Sequence, residues 1–245
     1  MGRITGRLAL TAVLVATMLL TGCITSDNDV DRIEPGDLVT EDESTDLGTA
    51  EKVEVYLRQG SGTMEVSSGA AKLMEATFRY NVDQWKPGIT YKERGTVWNL
   101  SVIQPNTDLR VATGAINEWD VTFGNDVPID MVVIMGAGDV EMDVGDLDLV
   151  DLDVNLGSGD LDLDIGAYDG DNLTVSINCG AGATKIKVPG NMGVRIVPLL
   201  GVGSVKATGF TPVGNEYHNG VYDLDQPHII IHANLGVGDL TITEA

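Results

Sequence analysis

Cysteine, histidine, aromatic residues and positive charge are all scarce in this 245-residue chain. Two cysteines cannot build a disulfide framework, and neither they nor the three histidines fall at a zinc-ligand spacing. Fifteen basic residues against 37 acidic ones leave a net charge of −22. A chain this acidic lacks the basic face that phosphate contacts require, which excludes nucleic acid as a partner. No phosphate-binding loop and no Gly-x-Ser-x-Gly nucleophile elbow occurs. Aromatics amount to only 5%, yet apolar residues reach 43%, enough to bury a core.

The long apolar runs are also few. The one at Leu8–Leu20 follows Arg3 and Arg7. Its 13 residues are too short for a bilayer span of about 20 and have the size of a signal-peptide core. It ends in Leu20-Thr-Gly-Cys23, which resembles the lipobox of prokaryotic lipoproteins. That resemblance implies a signal peptide over 1–22, lipidation of the Cys23 thiol, and a protein held outside the cytoplasm on the cell membrane, or on the outer membrane of a diderm host. Loss of two arginines with the leader would take the net charge from −22 to −24. Cys179 is then the one free thiol, and its alternation with Ile177 marks it as a small buried residue.

Residues 25–50 carry nine acids and Arg32 as the one base, with no helical or alternating period. With the lipidated cysteine, the segment 23–50 is predicted to be a disordered acidic tether.

What is plentiful is glycine, 30 residues, and it recurs in a pattern. Gly-x-Gly stands at 60–62, 136–138, 157–159, 180–182, 201–203 and 236–238, the four middle copies starting 21, 23 and 21 residues apart. Behind each copy runs an alternating stretch, such as Asp139-Val-Glu-Met142, Asp160-Leu-Asp-Leu163 and Ala183-Thr-Lys-Ile186. Period two is the mark of a strand with one buried face, whereas on a helix these carboxylates would point to every side. A repeat of 21–23 residues is too short for a propeller blade and too long for a nonapeptide coil. The pattern predicts an all-β, single-domain β-solenoid over 51–245, with glycine at bends where φ is positive and neighbouring coils approach closely. The spacing places Glu141, Asp162, Lys185 and Lys206 in one outward column and Asp143, Asp164 and Lys187 in a second. Met142, Leu163, Ile186 and Ala207 form the inward ladder beside them. Residues 70–130 hold all three tryptophans and lack the clean repeat, so they are predicted to form wider capping coils at the N-terminal end.

The order Gly60-Ser-Gly-Thr-Met-Glu-Val66, Trp119-Asp-Val, Val127-Pro128, Gly136-Ala-Gly and the closing Ile229-Ile-Ile…Gly236-Val-Gly-Asp-Leu240 resembles the toastrack-type β-solenoid of prokaryotic envelope proteins. It is similar to the C-terminal domain of LiaF-type cell wall-active antibiotic response proteins. The resemblance implies an extracytoplasmic scaffold or interaction domain, engaged in envelope stress or surface sensing, with no catalytic residues and no cofactor. A lipobox stands here where the LiaF type has several transmembrane helices.

Between Val111 and Thr184 there are 16 acids and no Lys or Arg. This face is the candidate surface for an adhesin-like or cation-binding role, with Glu141, Asp162, Asp164, Asp169 and Asp171 as candidate metal ligands. Asp160, Asp162 and Asp164 stand about 6.6 Å apart along a strand, too far to chelate one ion together. His228 and His232 are read as surface or edge residues, about 13 Å apart. Expected partners are the membrane, through Cys23, and a protein partner or a second copy.

Overall fold

The alternating stretches are strands, and the Gly-x-Gly elements are the corners at which each strand bends. The computed structural model describes residues 32–105, 111 and 113–245. It holds one open, 17-stranded sheet folded along a column of glycine corners into two limbs.

The first rung of the stack is β2 (Lys52–Ser68) and the second β7 (Ile129–Asp143), each running unbroken through its corner. In the third rung the corner separates β8 (Leu149–Ser158) from β9 (Leu161–Asp164), and in the fourth β10 (Leu173–Ala181) from β11 (Thr184–Val188). All four pair in parallel with their neighbours. The chain next forms β12 (Gly193–Val202) and β13 (Val205–Ala207), followed by a hairpin, β14 (Phe210–Val213) and β15 (Glu216–Asn219). The rung that comes last in sequence is β16 (His228–Val237) with β17 (Leu240–Glu244).

Spatial order departs from sequence order at this point. β16 and β17 lie between the fourth rung and β12–β13, hydrogen-bonded in parallel to both. The outward column therefore reads Glu141, Asp162, Lys185, Thr241, Lys206: Thr241 separates the two lysines that the repeat spacing alone makes neighbours. Regular spacing reports which residues share a column but not the order in which rungs stack. The inward ladder is Val66, Met142, Leu163, Ile186, Ile242, Ala207, and its members from Val66 to Ile242 are at most 1% exposed. The return turns add Val144, Leu147, Ile165 and Tyr168 to the core. The Tyr168 hydroxyl donates to the Leu149 carbonyl at 2.8 Å, and burial lifts its pKa to about 12.

At the N-terminal end, β5 (Val97–Ile103) pairs with the first half of β2 and β6 (Asn117–Phe123) with its second half, a wider coil closed without Gly-x-Gly. Antiparallel strands extend it: β4 (Gly88–Arg94) on β5, and β3 (Met74–Tyr80) on β6. Trp119 packs edge-on against Phe78 at 5.3 Å, and Trp98 lies against Tyr91 at 4.7 Å.

The acidic segment 23–50 is not a tether throughout. Val39–Thr45 forms β1, antiparallel to β3, and the folded unit begins at Arg32 rather than Glu51. Its charges are met across space: Lys86 binds Glu41 at 2.5 Å, Lys72 lies 3.4 Å from Asp46, and Thr77 donates to Asp42. Composition alone counts the acids of such a segment and misses the distant bases that offset them.

Candidate functional site

Strand stacking turns the second limb into a flat surface of charge columns. Outward side chains on neighbouring rungs stand about 4.8 Å apart. One column runs Asp42, Thr77, Asp120, Glu65, Glu141, Asp162 before reaching Lys185. Beside it run Ser67, Asp143, Asp164 and Lys187. The lysines of the fourth rung terminate the acidic stretch: Lys187 binds Asp164 at 2.8 Å and Lys185 lies 3.5 Å from Asp162. The Asp164 carboxylate, as hydrogen-bond acceptor and as charge, holds the Lys187 ammonium above its ordinary pKa. Next to the corner, a groove of about 250 Å³ is lined by Glu65, Asp139, Glu141, Asp160, Asp162 and Lys185, with Met64 and Leu161 in its floor.

The corner has its own acid ladder. Asp139 accepts the Asp160 amide at 3.0 Å, Asp160 accepts the Ala183 amide at 2.8 Å, and Asp239 accepts both the amide and the hydroxyl of Ser204. These carboxylates replace backbone partners lost where the strand bends. They serve the fold first: one oxygen of each is held by an amide of the adjacent rung.

On the first limb the outward column runs Glu54, Asp130, Asp151, Thr174, Ile230, Arg195. Lys52 binds Asp130 at 2.7 Å. Partial desolvation, then Asp153 and Asp130, raise the Asp151 carboxyl above its ordinary pKa. Asn155, Asn178 and Asn234 form an amide ladder on this limb, each bond 3.0 Å.

Of the residues singled out as metal ligands, Glu141 faces Asp162 on the next rung, and Asp164 faces Asp143 and Lys187. Asp169 and Asp171 lie apart from these columns, exposed on the return turn between β9 and β10. Among the described residues, no three His, Cys, Asp or Glu side chains come together in a group able to hold a metal ion. Cys23 lies outside the described residues. Cys179 is buried, and desolvation pushes its thiol above the ordinary pKa.

Two features escaped the sequence reading. His228 is buried, not a surface residue: Tyr222 covers it edge-on at 5.6 Å and lies 4.6 Å from His218 on its other flank. His218 in turn meets Glu216, which binds Arg195 at 2.6 Å. The concentration of Tyr and His between repeat copies was the available signal. The second is an apolar ridge. At the middle position of the corner the rungs carry Ser61, Ala137, Ser158 and Ala181, then Val237 and Val202, which are 55% and 66% exposed. Leu199, also exposed, borders a groove of about 550 Å³ floored by Gly180, Gly201 and Gly236.

Residues 34–187 match the family described as the N-terminal domain of toast_rack, DUF2154. Among solved structures, a proposed cell adhesion protein of Clostridium sporogenes is 27% identical, with a TM-score of 0.79 over 85% of this chain and 100% of its own. A proposed adhesin of Bacteroides fragilis is 14% identical over 86% of this chain and 100% of its own, with a TM-score of 0.35. No protein of curated function matches.

Proposed function

The chain belongs to the toast_rack family, and from that premise we propose that it is a non-catalytic surface module of the adhesin type, held on the outer side of a membrane by lipid on Cys23. The observation that carries this reading is the likeness to the proposed cell adhesion protein of Clostridium sporogenes, which spans the whole of that chain. The arrangement of the surface supports it. A stack of hydrogen-bonded rungs is rigid along its axis, and it presents the acidic columns of the second limb as an extended plane rather than as a reaction cleft. Side chains fixed at rung spacing suit a repetitive or extended partner that gains from many weak contacts at once.

Cells or beads displaying the full chain test the proposal. Attachment to a matrix or to neighbouring cells should fall when Glu141→Gln, Asp143→Asn, Asp162→Asn and Asp164→Asn are combined, with strand content unchanged. Cys23→Ser should release the protein from the membrane fraction. Equal attachment with and without the protein would overturn the reading. A second reading, cation binding by the same face, is favoured by the carboxylate pairs Glu141–Asp162 and Asp143–Asp164 on adjacent rungs. Saturable heat at millimolar calcium, lost in the same fourfold variant, would support it.

A further inference from the structure

The placement of the last-in-sequence rung leaves a mark on how this protein can associate. Without residues 228–244, the fourth rung and the β12–β13 rung would face each other across a one-strand gap. The two sides of that gap are both parallel edges, β10–β11 on one and β12–β13 on the other. The segment that fills it inserts Ile229, Ile231, Ala233, Leu235, Leu240 and Ile242 into the core, each 3% exposed or less. Its glycine corner fits the slot closely: a Cβ on Gly238 would lie 1.8 Å from the Gly182 carbonyl oxygen, and one on Gly203 1.7 Å from that of Gly238.

This segment reaches the slot by a crossover. β15 lies on one side of β12 and β16 on the other. The connection, residues 220–227, passes over the start of β12, where a Cβ on Gly193 would come within 2.9 Å of the Tyr222 Cα. Val221 and Leu224 within it are 51% and 67% exposed. Within the connection the Tyr222 ring lies between His218 and His228.

We infer that the slot between the fourth rung and β12–β13 is a strand-exchange interface, which takes residues 228–244 from a second copy of the chain in place of its own. The exchanged strand makes the same hydrogen bonds and fills the same core positions. The two states differ only in the crossover and in the concentration of segments, which is the condition for domain swapping. The intramolecular segment wins in dilute solution because its effective concentration is millimolar. The swapped state is favoured by crowding on a surface or by a crossover too short to close.

The test shortens the crossover in the full chain, with Cys23→Ser and Cys179→Ala. Deleting residues 221–226 leaves three residue steps, at most about 11 Å, to round the end of β12 and join strands about 9.6 Å apart. One copy carries Ala181→Cys and a second Val237→Cys, positions that face each other in adjacent rungs. Light scattering should give twice the shortened chain's own mass, and oxidation of a refolded mixture should give a covalent heterodimer in excess over homodimers. A folded monomer at all concentrations, or a dimer without the 181–237 link, would overturn the inference. Should the deletion prevent folding, the same two cysteine copies with the crossover intact decide. Refolded together at high concentration they should yield the heterodimer, and its absence would equally overturn it.

Discussion

Gly238 rests against Gly182, 56 residues earlier in the chain, so closely that a Cβ on Gly238 would stand 1.8 Å from the Gly182 carbonyl oxygen. The same contact recurs through the stack, from Gly138 on Gly62 to Gly203 on Gly238. Each of these glycines has positive φ, between 126° and 153° where the column is continuous. The corner is thus a column of backbone on backbone, and it sets the rung spacing for both limbs.

Alanine at Gly159 should accordingly be among the most damaging single substitutions. It would place a Cβ 1.9 Å from the Gly138 carbonyl oxygen at a φ of 126°. Strain and a backbone shift together should cost about 3 kcal/mol or more. Gly95→Ala, with positive φ but nothing within 4 Å, should cost about 1 kcal/mol. Urea unfolding of the two variants measures the difference.

Acid should loosen the joint between the last-in-sequence rung and β13. Hydrogen bonds from the Ser204 hydroxyl and amide hold the Asp239 carboxyl below its ordinary value of 3.8. A depressed carboxyl contributes stability that is fully present above 3.8 and is lost as pH falls through the lower folded value. Asp239→Ala should therefore lower stability at neutral pH and flatten the acid limb of the pH–stability curve. Thermal unfolding from pH 7 to pH 2 reads both effects.

Buried titrating groups should stay silent in the folded chain. Burial raises the Cys179 thiol, so in a Cys23→Ser protein iodoacetamide at pH 8 should label it only as fast as the stack opens. Denaturant should accelerate labelling by orders of magnitude. Tyr168, at about 12, should ionise only at the alkaline end of an ultraviolet titration.

Much of this architecture was legible because two signals are local. Asp160-Leu-Asp-Leu163 states its own pleat, and Gly157 and Gly159 state their own bend, so the facing of Asp162 to Lys185 follows from counting. What counting could not supply was order. The gap from Gly201 to Gly236 is longer than a repeat, but nothing in it says that Gly236 returns to lie beside Gly180. β1 was hidden for a related reason: Glu41 finds Lys86, 45 residues away, only after the chain has folded. His228 was misread because its cover, Tyr222, belongs to no repeat. The candidate face was legible as charge, while the division of that charge between corner carboxylates that hold amides and columns that face outward required the fold.

Disulfide trapping in single chains tests the rung order on which the account rests. In a Cys23→Ser, Cys179→Ala background, the pairs Ala181→Cys/Val237→Cys and Val237→Cys/Val202→Cys join adjacent rungs, about 4.8 Å apart. Both should oxidise in the native state. The pair Ala181→Cys/Val202→Cys should not, since two rung spacings put it beyond the roughly 7 Å limit for a disulfide. A bond between positions 181 and 202 in the folded monomer, with none from 237 to either, would contradict the inserted rung and return the stack to sequence order.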